Sequence, residues 1–373
     1  MAPSRNVALT ATEGHTGHLI AELLLSDADF KNHLNSVTCL TMNPSHANNE
    51  ALKKLGADIV EMVPGKPDEL VDSLKKNKVD TFCLIPPATE TKVELCEELV
   101  EGAKKAGVQN MLLISSAGCD LAERDKQPRL REFVDIESLV LNAKGDAENP
   151  LGHSPCVIRA GIYAETILLY NEQARNSGKL PIPLGPTHKY APVALGDVAQ
   201  VAAHVLTGEG PHGFNDKHRG QLMTLTGPML MAGNEVAEAA SQALGVKLEY
   251  EDIDEKEAAK LLDDHSELDP AEKQYLLEFY SLVREGKTNY VSTTAFRDVT
   301  GGQPTEPNEF FGLYEGEFKP KRRKVEKSSP KKEKVSKSES SPTKKEQQKA
   351  EKVAKEQTKE TKETKEKDEK EEK

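Results

Sequence analysis

The sequence predicts a doubly wound α/β protein, a parallel sheet with a smaller C-terminal α/β lobe and a disordered tail. Three observations carry this. A strand, a glycine loop and a helix open the chain, in NVALTATEGHTGHLIAELLL over 6–25. Strand-like and helix-like apolar patterns then alternate up to about residue 160. Beyond about residue 315 apolar residues almost vanish, so that stretch has no core to bury.

The opening unit comes first. Residues 6–10 read as a buried strand. Gly14 and Gly17 lie in a loop of small residues, and Leu19, Ile20, Leu23 and Leu24 repeat at helical spacing. A helix N-terminus carries unpaired N–H groups and partial positive charge, and glycine lets the backbone approach closely. The unit therefore suits a dinucleotide pyrophosphate. An ordinary βα turn is the alternative. One residue departs from the fingerprint: Ala11 stands where its first glycine belongs. A methyl there is tolerated at negative φ and not at positive φ.

Further strands are expected over 37–42, 58–63, 81–85, 111–115 and 156–160, broken by Asn43-Pro44, Pro64-Gly65 and Pro86-Pro87. Between them run helical patterns over 47–55, 68–74, 91–106 and 129–141. Alternation of this kind implies a parallel sheet covered on both faces. The second half is less regular. A helix over 198–206 has Asp197 as its expected N-cap. A strand over 222–226, a helix over 234–244, a strand over 248–253 and helices over 255–262 and 271–284 follow. Such pieces form a lobe over the strand C-termini, where an open sheet binds its ligands. The chain divides into 1–155, 156–314 and 315–373.

Charge separates the body from the tail. From Lys319 onward there are 21 basic and 13 acidic residues, which leaves 29 basic and 49 acidic ahead of them. A body this acidic excludes a broad nucleic-acid surface. The five cysteines, Cys39, Cys83, Cys96, Cys119 and Cys156, form no CxxC pair and read as reduced thiols. No apolar run reaches membrane-spanning length and no signal-like segment opens the chain, so a soluble intracellular protein is expected. The histidines at 212 and 218 have no metal-binding spacing, and no metal is expected.

Several segments together resemble the NmrA-like family of atypical short-chain dehydrogenase relatives. They are VALTATEGHTG, Asn43-Pro44, LIPPATE over 84–90 and KKAGVQNMLLISSAG over 104–118. VIRAGIYAETIL over 157–168, VALGDVAQVAAHVLT over 193–207 and LTGP with the following helix over 225–245 continue the order. The resemblance implies a Rossmann domain over 1–155 that binds NAD or NADP. Some members are regulators that sense the nicotinamide pool, such as the fungal nitrogen-repression regulator; others are reductases, including quinone reductases. The residues it places at the cofactor are Thr10, Ala11, Thr12, Gly14, His15, Thr16 and Gly17 in the loop, Asn43 by the adenosine ribose, Pro86 and Pro87 on the nicotinamide side, and Ser115 at the end of strand five. His15 reads equally as an exposed loop residue, the two prolines as a strand stop, and Ser115-Ser116 as a βα turn.

Against the family pattern there are gaps. None of the eight tyrosines has a lysine four residues on, so the Tyr-x-x-x-Lys dyad of typical short-chain dehydrogenases is absent. The active-site helix region, REFVDIESLVL over 131–141, holds no tyrosine, and no catalytic residue is assigned. Met42 stands where the family often has an arginine for the 2′-phosphate, and Lys66 where an aspartate commonly faces the adenine. NADP preference is therefore not supported. Arg159, at a strand end, is expected to pair with a carboxylate. Tyr163, His188 and Tyr190 are candidates for the crevice or for the core. The first expectation is a redox-sensing regulator that acts through a transcription factor or other protein partner. The alternative is an NAD(P)H-dependent oxidoreductase of quinone-like or small carbonyl substrates.

The tail carries an address. PKRRKV over 320–325, preceded by Lys319, resembles a monopartite nuclear import signal, with two Ser-Pro sites at Ser329 and Ser341 beyond it. Location in nucleus and cytoplasm is expected. Deleting 319–325 should abolish nuclear enrichment in fluorescence imaging of the tagged full chain; unchanged enrichment rejects the address.

Overall fold

In the computed structural model, residues 5–142 and 154–319 are described, apart from 212, 267, 290 and 291. The basic cluster over 320–325, both Ser-Pro sites and Tyr290 lie outside the described residues.

Apolar alternation builds the strands. Val7 and Leu9 face one side of the sheet and Ala8 the other, because successive side chains of a strand point to opposite faces. Among the described residues nine strands form: β1 Arg5–Leu9, β2 Leu34–Thr41, β3 Asp58–Glu61, β4 Thr81–Leu84, β5 Asn110–Ser116, β6 Ser154–Ala160, β7 Lys179–Pro181, β8 Leu222–Leu225 and β9 Glu249–Glu251. Seven make one parallel sheet in the order β3-β2-β1-β4-β5-β6-β8. The order reverses between β1 and β4, which opens a crevice beyond their C-terminal ends. Beyond the ladder, the Thr10 hydroxyl donates to the Ile85 carbonyl at 2.8 Å and accepts the Ile85 N–H at 2.7 Å. Those two bonds fix the spacing of the strands at the reversal.

Helices cover both faces. In the first half they are α1 His15–Ser26, α2 Ala28–Lys31, α3 Ala47–Leu55, α4 Pro67–Lys76, α5 Lys92–Ala106 and α6 Pro128–Asn142. The second half adds α7 Asn171–Ser177, α8 Leu195–Thr207, α9 Gly233–Leu244, α10 Glu255–His265, α11 Pro270–Arg284, α12 Ala295–Thr300, α13 Pro307–Leu313 and α14 Glu315–Phe318. Ile20 and Leu24 of α1 pack with Val198, Val201 and Val205 of α8 on the Val7/Leu9 side. Leu99 of α5 and Ile136 and Val140 of α6 pack on the other side, against Phe82 and Leu113. A separate core, with Tyr170, Tyr190, Leu244, Leu262 and Phe279, holds the C-terminal lobe together. All five cysteines are free and buried within these cores. Burial pushes the thiols of Cys39, Cys96, Cys119 and Cys156 up to about 12, and that of Cys83 up as well.

Three differences from the sequence expectation have physical reasons. The strand expected over 248–253 shrinks to β9, which pairs with the equally short β7 in a two-stranded ribbon of the lobe. The folded chain runs past 314, because the Phe318 ring packs on Phe311 at 5.3 Å and is fully buried. Asp197 is not the N-cap of α8. The cap position is Ala194, and the Leu195 N–H is accepted by Glu165 at 3.0 Å, a residue from a distant turn. Asp197 instead accepts both the N–H and the hydroxyl of Thr305 at 2.8 Å. Burial pushes Asp197 up to about 6 and Glu165, which also accepts the Tyr314 hydroxyl at 3.3 Å, up to about 7.

The first βα turn is tightly closed. Ala11 adopts φ 51°, in the left-handed region, so that its carbonyl turns inward. That carbonyl accepts the Gly14 N–H at 3.1 Å. A Cβ on Gly17 would lie 2.4 Å from the same oxygen, so only glycine lets α1 seat here. The methyl of Ala11 is thus accommodated at positive φ, contrary to the sequence expectation, at the cost of left-handed backbone strain.

Two outcomes follow. Ala11→Gly should raise stability by about 0.5–1 kcal/mol in urea unfolding, the relief of left-handed strain less the entropy glycine adds to the unfolded chain; a lower midpoint would mean the methyl contributes more by packing than it costs. Glu165 holds its proton more tightly in the folded chain than in the unfolded one, where its value is 4.5. Its contribution to stability is therefore present at acid pH and is lost as pH rises from about 4.5 to about 7. Glu165→Gln should gain in melting temperature relative to the parent as pH goes from 5 to 8, and a difference independent of pH would refute that titration.

Candidate functional site

The glycine loop and the start of α1 line the crevice. Gly14 and His15 are exposed there, and α1 begins without a side-chain cap. The first-turn N–H groups are therefore open to an anion. Thr16 reaches across the crevice and donates its hydroxyl to the Tyr163 oxygen at 3.3 Å. Gly17 closes the floor against Ala11. Thr10 and Thr12 point inward instead. Both are fully buried, Thr10 bonded to Ile85 and Thr12 donating to the Asn49 side chain at 2.9 Å. Ala11, Gly14, His15, Thr16 and Gly17 are thus brought together as a cradle, while Thr10 and Thr12 support it from behind.

The loop's acid defines the next wall. Glu13 extends to the end of β2, where its Oε1 accepts the Met42 N–H at 3.2 Å. Its carbonyl accepts the Asn48 side-chain amide at 2.7 Å. Asn43 lies beside this contact, exposed, with its N–H bonded to the Thr41 hydroxyl and its side-chain oxygen accepting Ser45. Lys66 pairs with Glu69 at 2.9 Å in solvent, and the Gly65 N–H is taken by Glu98. Glu13 escaped the sequence reading because nothing in its spacing says which way the loop aims it.

At the far side, Pro86 and Pro87 follow β4, half-buried and buried. Strand alternation then separates the two serines of β5. The Ser115 hydroxyl donates to Glu137 Oε1 on α6 at 2.6 Å. Ser116 meets the Tyr275 hydroxyl at 2.9 Å, brought from α11 in the lobe. Glu137 is also gripped by Arg159, through Nε at 2.8 Å and Nη2 at 2.7 Å, and Arg159 reaches Asp120 at 2.8 Å. The expected partner of the strand-end arginine is therefore the one acid of α6 that faces the sheet. That bonding holds Arg159 above its ordinary value. Burial pushes Tyr163 up to about 12 and raises Tyr275 too. Glu272, one turn before Tyr275, acts electrostatically on both phenols, and burial raises its carboxyl above the usual range. Tyr275 and Glu272 had no sequence signal, since they meet β5 only through the fold of the lobe. Tyr190 lies in the lobe core, and His188 packs against Gly185 and Gly286 away from the loop. Among the described residues no cluster of His, Cys, Asp and Glu is grouped to hold a metal. Among them, too, no helix is long and apolar enough to cross a membrane.

The arrangement fits a dinucleotide. The α1 N-terminus is drawn close to the loop, since a Cβ at Gly17 would strike the Ala11 carbonyl, that helix end is uncapped, and Glu13 Oε2 is a buried oxygen with no hydrogen-bond partner. Comparisons agree with this geometry. The chain is 26% identical over 172 residues to an NAD(P)H azoreductase of Xenophilus azovorans, a match over 46% of this chain and 54% of that protein. It spans about half the length of the curated relatives it matches. Its fold superimposes on an NADPH-dependent quinone oxidoreductase of Escherichia coli complexed with NADPH, with TM-score 0.67 and 20% identity over 83% of this chain and 99% of that one. It also superimposes on NmrA, a negative transcriptional regulator in complex with NADP, with TM-score 0.64 and 14% identity over 83% of this chain and 94% of that one. At these identities the two structures speak for the fold. The NmrA-like family itself matches from residue 3 to residue 310, and to that family this chain belongs.

Proposed function

We propose that this protein is an NAD(P)H-dependent reductase of quinone-like and related conjugated acceptors. One observation carries the reading: the crevice joins an uncapped helix N-terminus to two phenols that stay protonated at neutral pH. The first-turn N–H groups of α1 would hold the pyrophosphate, the Thr16 hydroxyl turning to it from Tyr163, with Asn43 beside the adenosine ribose and Pro86 and Pro87 against the nicotinamide. The bound reduced nicotinamide supplies a hydride. Tyr163 and Tyr275 orient the acceptor by hydrogen bonds. Neither has the lysine partner that would make it a ready proton donor, which disfavours simple carbonyls. A conjugated acceptor spreads the added electron pair and takes its proton afterwards. Glu272, one turn before Tyr275 on α11, would relay that proton from solvent; burial and Asp269 shift its carboxyl upward. The azoreductase relative and the quinone oxidoreductase fold support this reading.

The regulator reading uses the same nucleotide site and adds a partner surface. Its support is the likeness to NmrA and the basic cluster over 320–325. Among the described residues the exposed large apolar side chains, Leu55, Val63, Leu121, Leu222 and Met229, fall on five different segments rather than on one docking element. The reductase reading therefore stands first.

Purified full chain should oxidise NADH or NADPH with a panel of quinones and azo dyes at roughly 1 s⁻¹ or faster. Glu272→Gln should slow azo reduction, where the nitrogen must be protonated, by about 10²-fold and leave quinone reduction nearly unchanged. Absence of turnover with every acceptor overturns the reductase reading.

A further inference from the structure

We propose that Glu13 makes the nucleotide site selective for NAD(H) and excludes the 2′-phosphate of NADP(H). The inference rests on the nucleotide site of the reading above, not on its acceptor. In open α/β sheets the adenosine ribose lies at the end of the second strand. An acid there accepts the ribose 2′-hydroxyl, and an arginine there accommodates a 2′-phosphate. In this chain the acid comes from the glycine loop instead of from β2. Two anchors pin it: Oε1 on the Met42 N–H at 3.2 Å, and the backbone carbonyl on the Asn48 amide at 2.7 Å. The carboxylate is thereby set at the last residues of β2, at the position of the ribose hydroxyls.

Its second oxygen completes the argument. Glu13 Oε2 is buried and has no hydrogen-bond partner. A carboxylate oxygen left so is costly, and a sugar hydroxyl supplies the missing donor. A phosphate offers only acceptors and like charge. The side chains that would offset that charge are otherwise disposed. Met42 stands at the strand end, Lys66 is paired with Glu69 in solvent, and His46 accepts the Asn48 N–H through Nδ1. The selectivity thus separates this chain from the related folds that hold NADPH or NADP.

The test is a titration of the full chain with NADH and with NADPH, followed by nucleotide fluorescence. It is run at pH 8, above the range in which an imidazole ordinarily gains a proton. The parent should bind NADH about tenfold or more tightly than NADPH. Glu13→Gln keeps an oxygen for the Met42 N–H and removes the charge, so the ratio should fall towards one. Met42→Arg, which adds a cation while leaving Glu13 in place, should also raise NADPH affinity. Shifts in melting temperature with saturating nucleotide give an independent reading for either variant. Equal affinities in the parent, or a ratio unchanged in both variants, overturn the role of Glu13 and leave the reductase reading intact. Binding of neither nucleotide overturns both. The expected ratio without turnover of any acceptor overturns the reductase reading alone.

Discussion

The seating of Gly17 on the Ala11 carbonyl is the contact from which the rest of the site takes its position. Helix α1 must come within van der Waals range of the β1 loop for its first turn to face the crevice, and a single carbon on Gly17 would prevent it. The same contact demands that Ala11 turn its carbonyl inward at φ 51°. That turn sends the next residues in opposite directions. Thr12 goes down to Asn49, and Glu13 goes sideways to β2. The open α1 N-terminus and the contact of Glu13 with the end of β2 are therefore two results of one backbone turn. The strain at Ala11 persists because the sheet, α1 and α3 together over-determine the loop.

A second constraint replaces the chemistry that the family pattern lacks. Glu137 occupies the helix that would otherwise offer a catalytic tyrosine, and its carboxylate is saturated by Ser115, Arg159 and the Cys119 thiol. Breaking such a buried pair from one side costs about 3–5 kcal/mol, whereas apolar replacement of the whole set is often neutral. Its role is to fix α6, β5 and β6 in one register. With that helix committed to structure, the crevice draws its polar groups from the lobe, through Tyr163 and Tyr275.

What was legible in the sequence had short range. Helix α3 lies where its pattern put it, at Ala47–Leu55, and the parallel sheet follows from steady alternation of patterns. The partner of Arg159 was expected in kind, since a buried guanidinium needs a carboxylate. Long-range geometry was not legible. The Asp197 cap failed because Glu165 takes the Leu195 N–H from thirty residues away. Ribbon β7–β9 is three residues long on each side, too short to show a period. Of the two serines on β5, only the strand phase in the folded sheet decides which one meets Tyr275, 159 residues distant. Glu13 was hidden for a local reason: its direction depends on a left-handed residue that the sequence presents as an ordinary alanine.

The burial of all five thiols bears on how this protein can respond to oxidants. Thiolate, not thiol, is what peroxide and disulfides react with, and every cysteine is held protonated inside a core. The folded chain therefore offers oxidants no reactive thiolate. What oxidative stress changes around it, before any cysteine, is the balance of nicotinamide nucleotides.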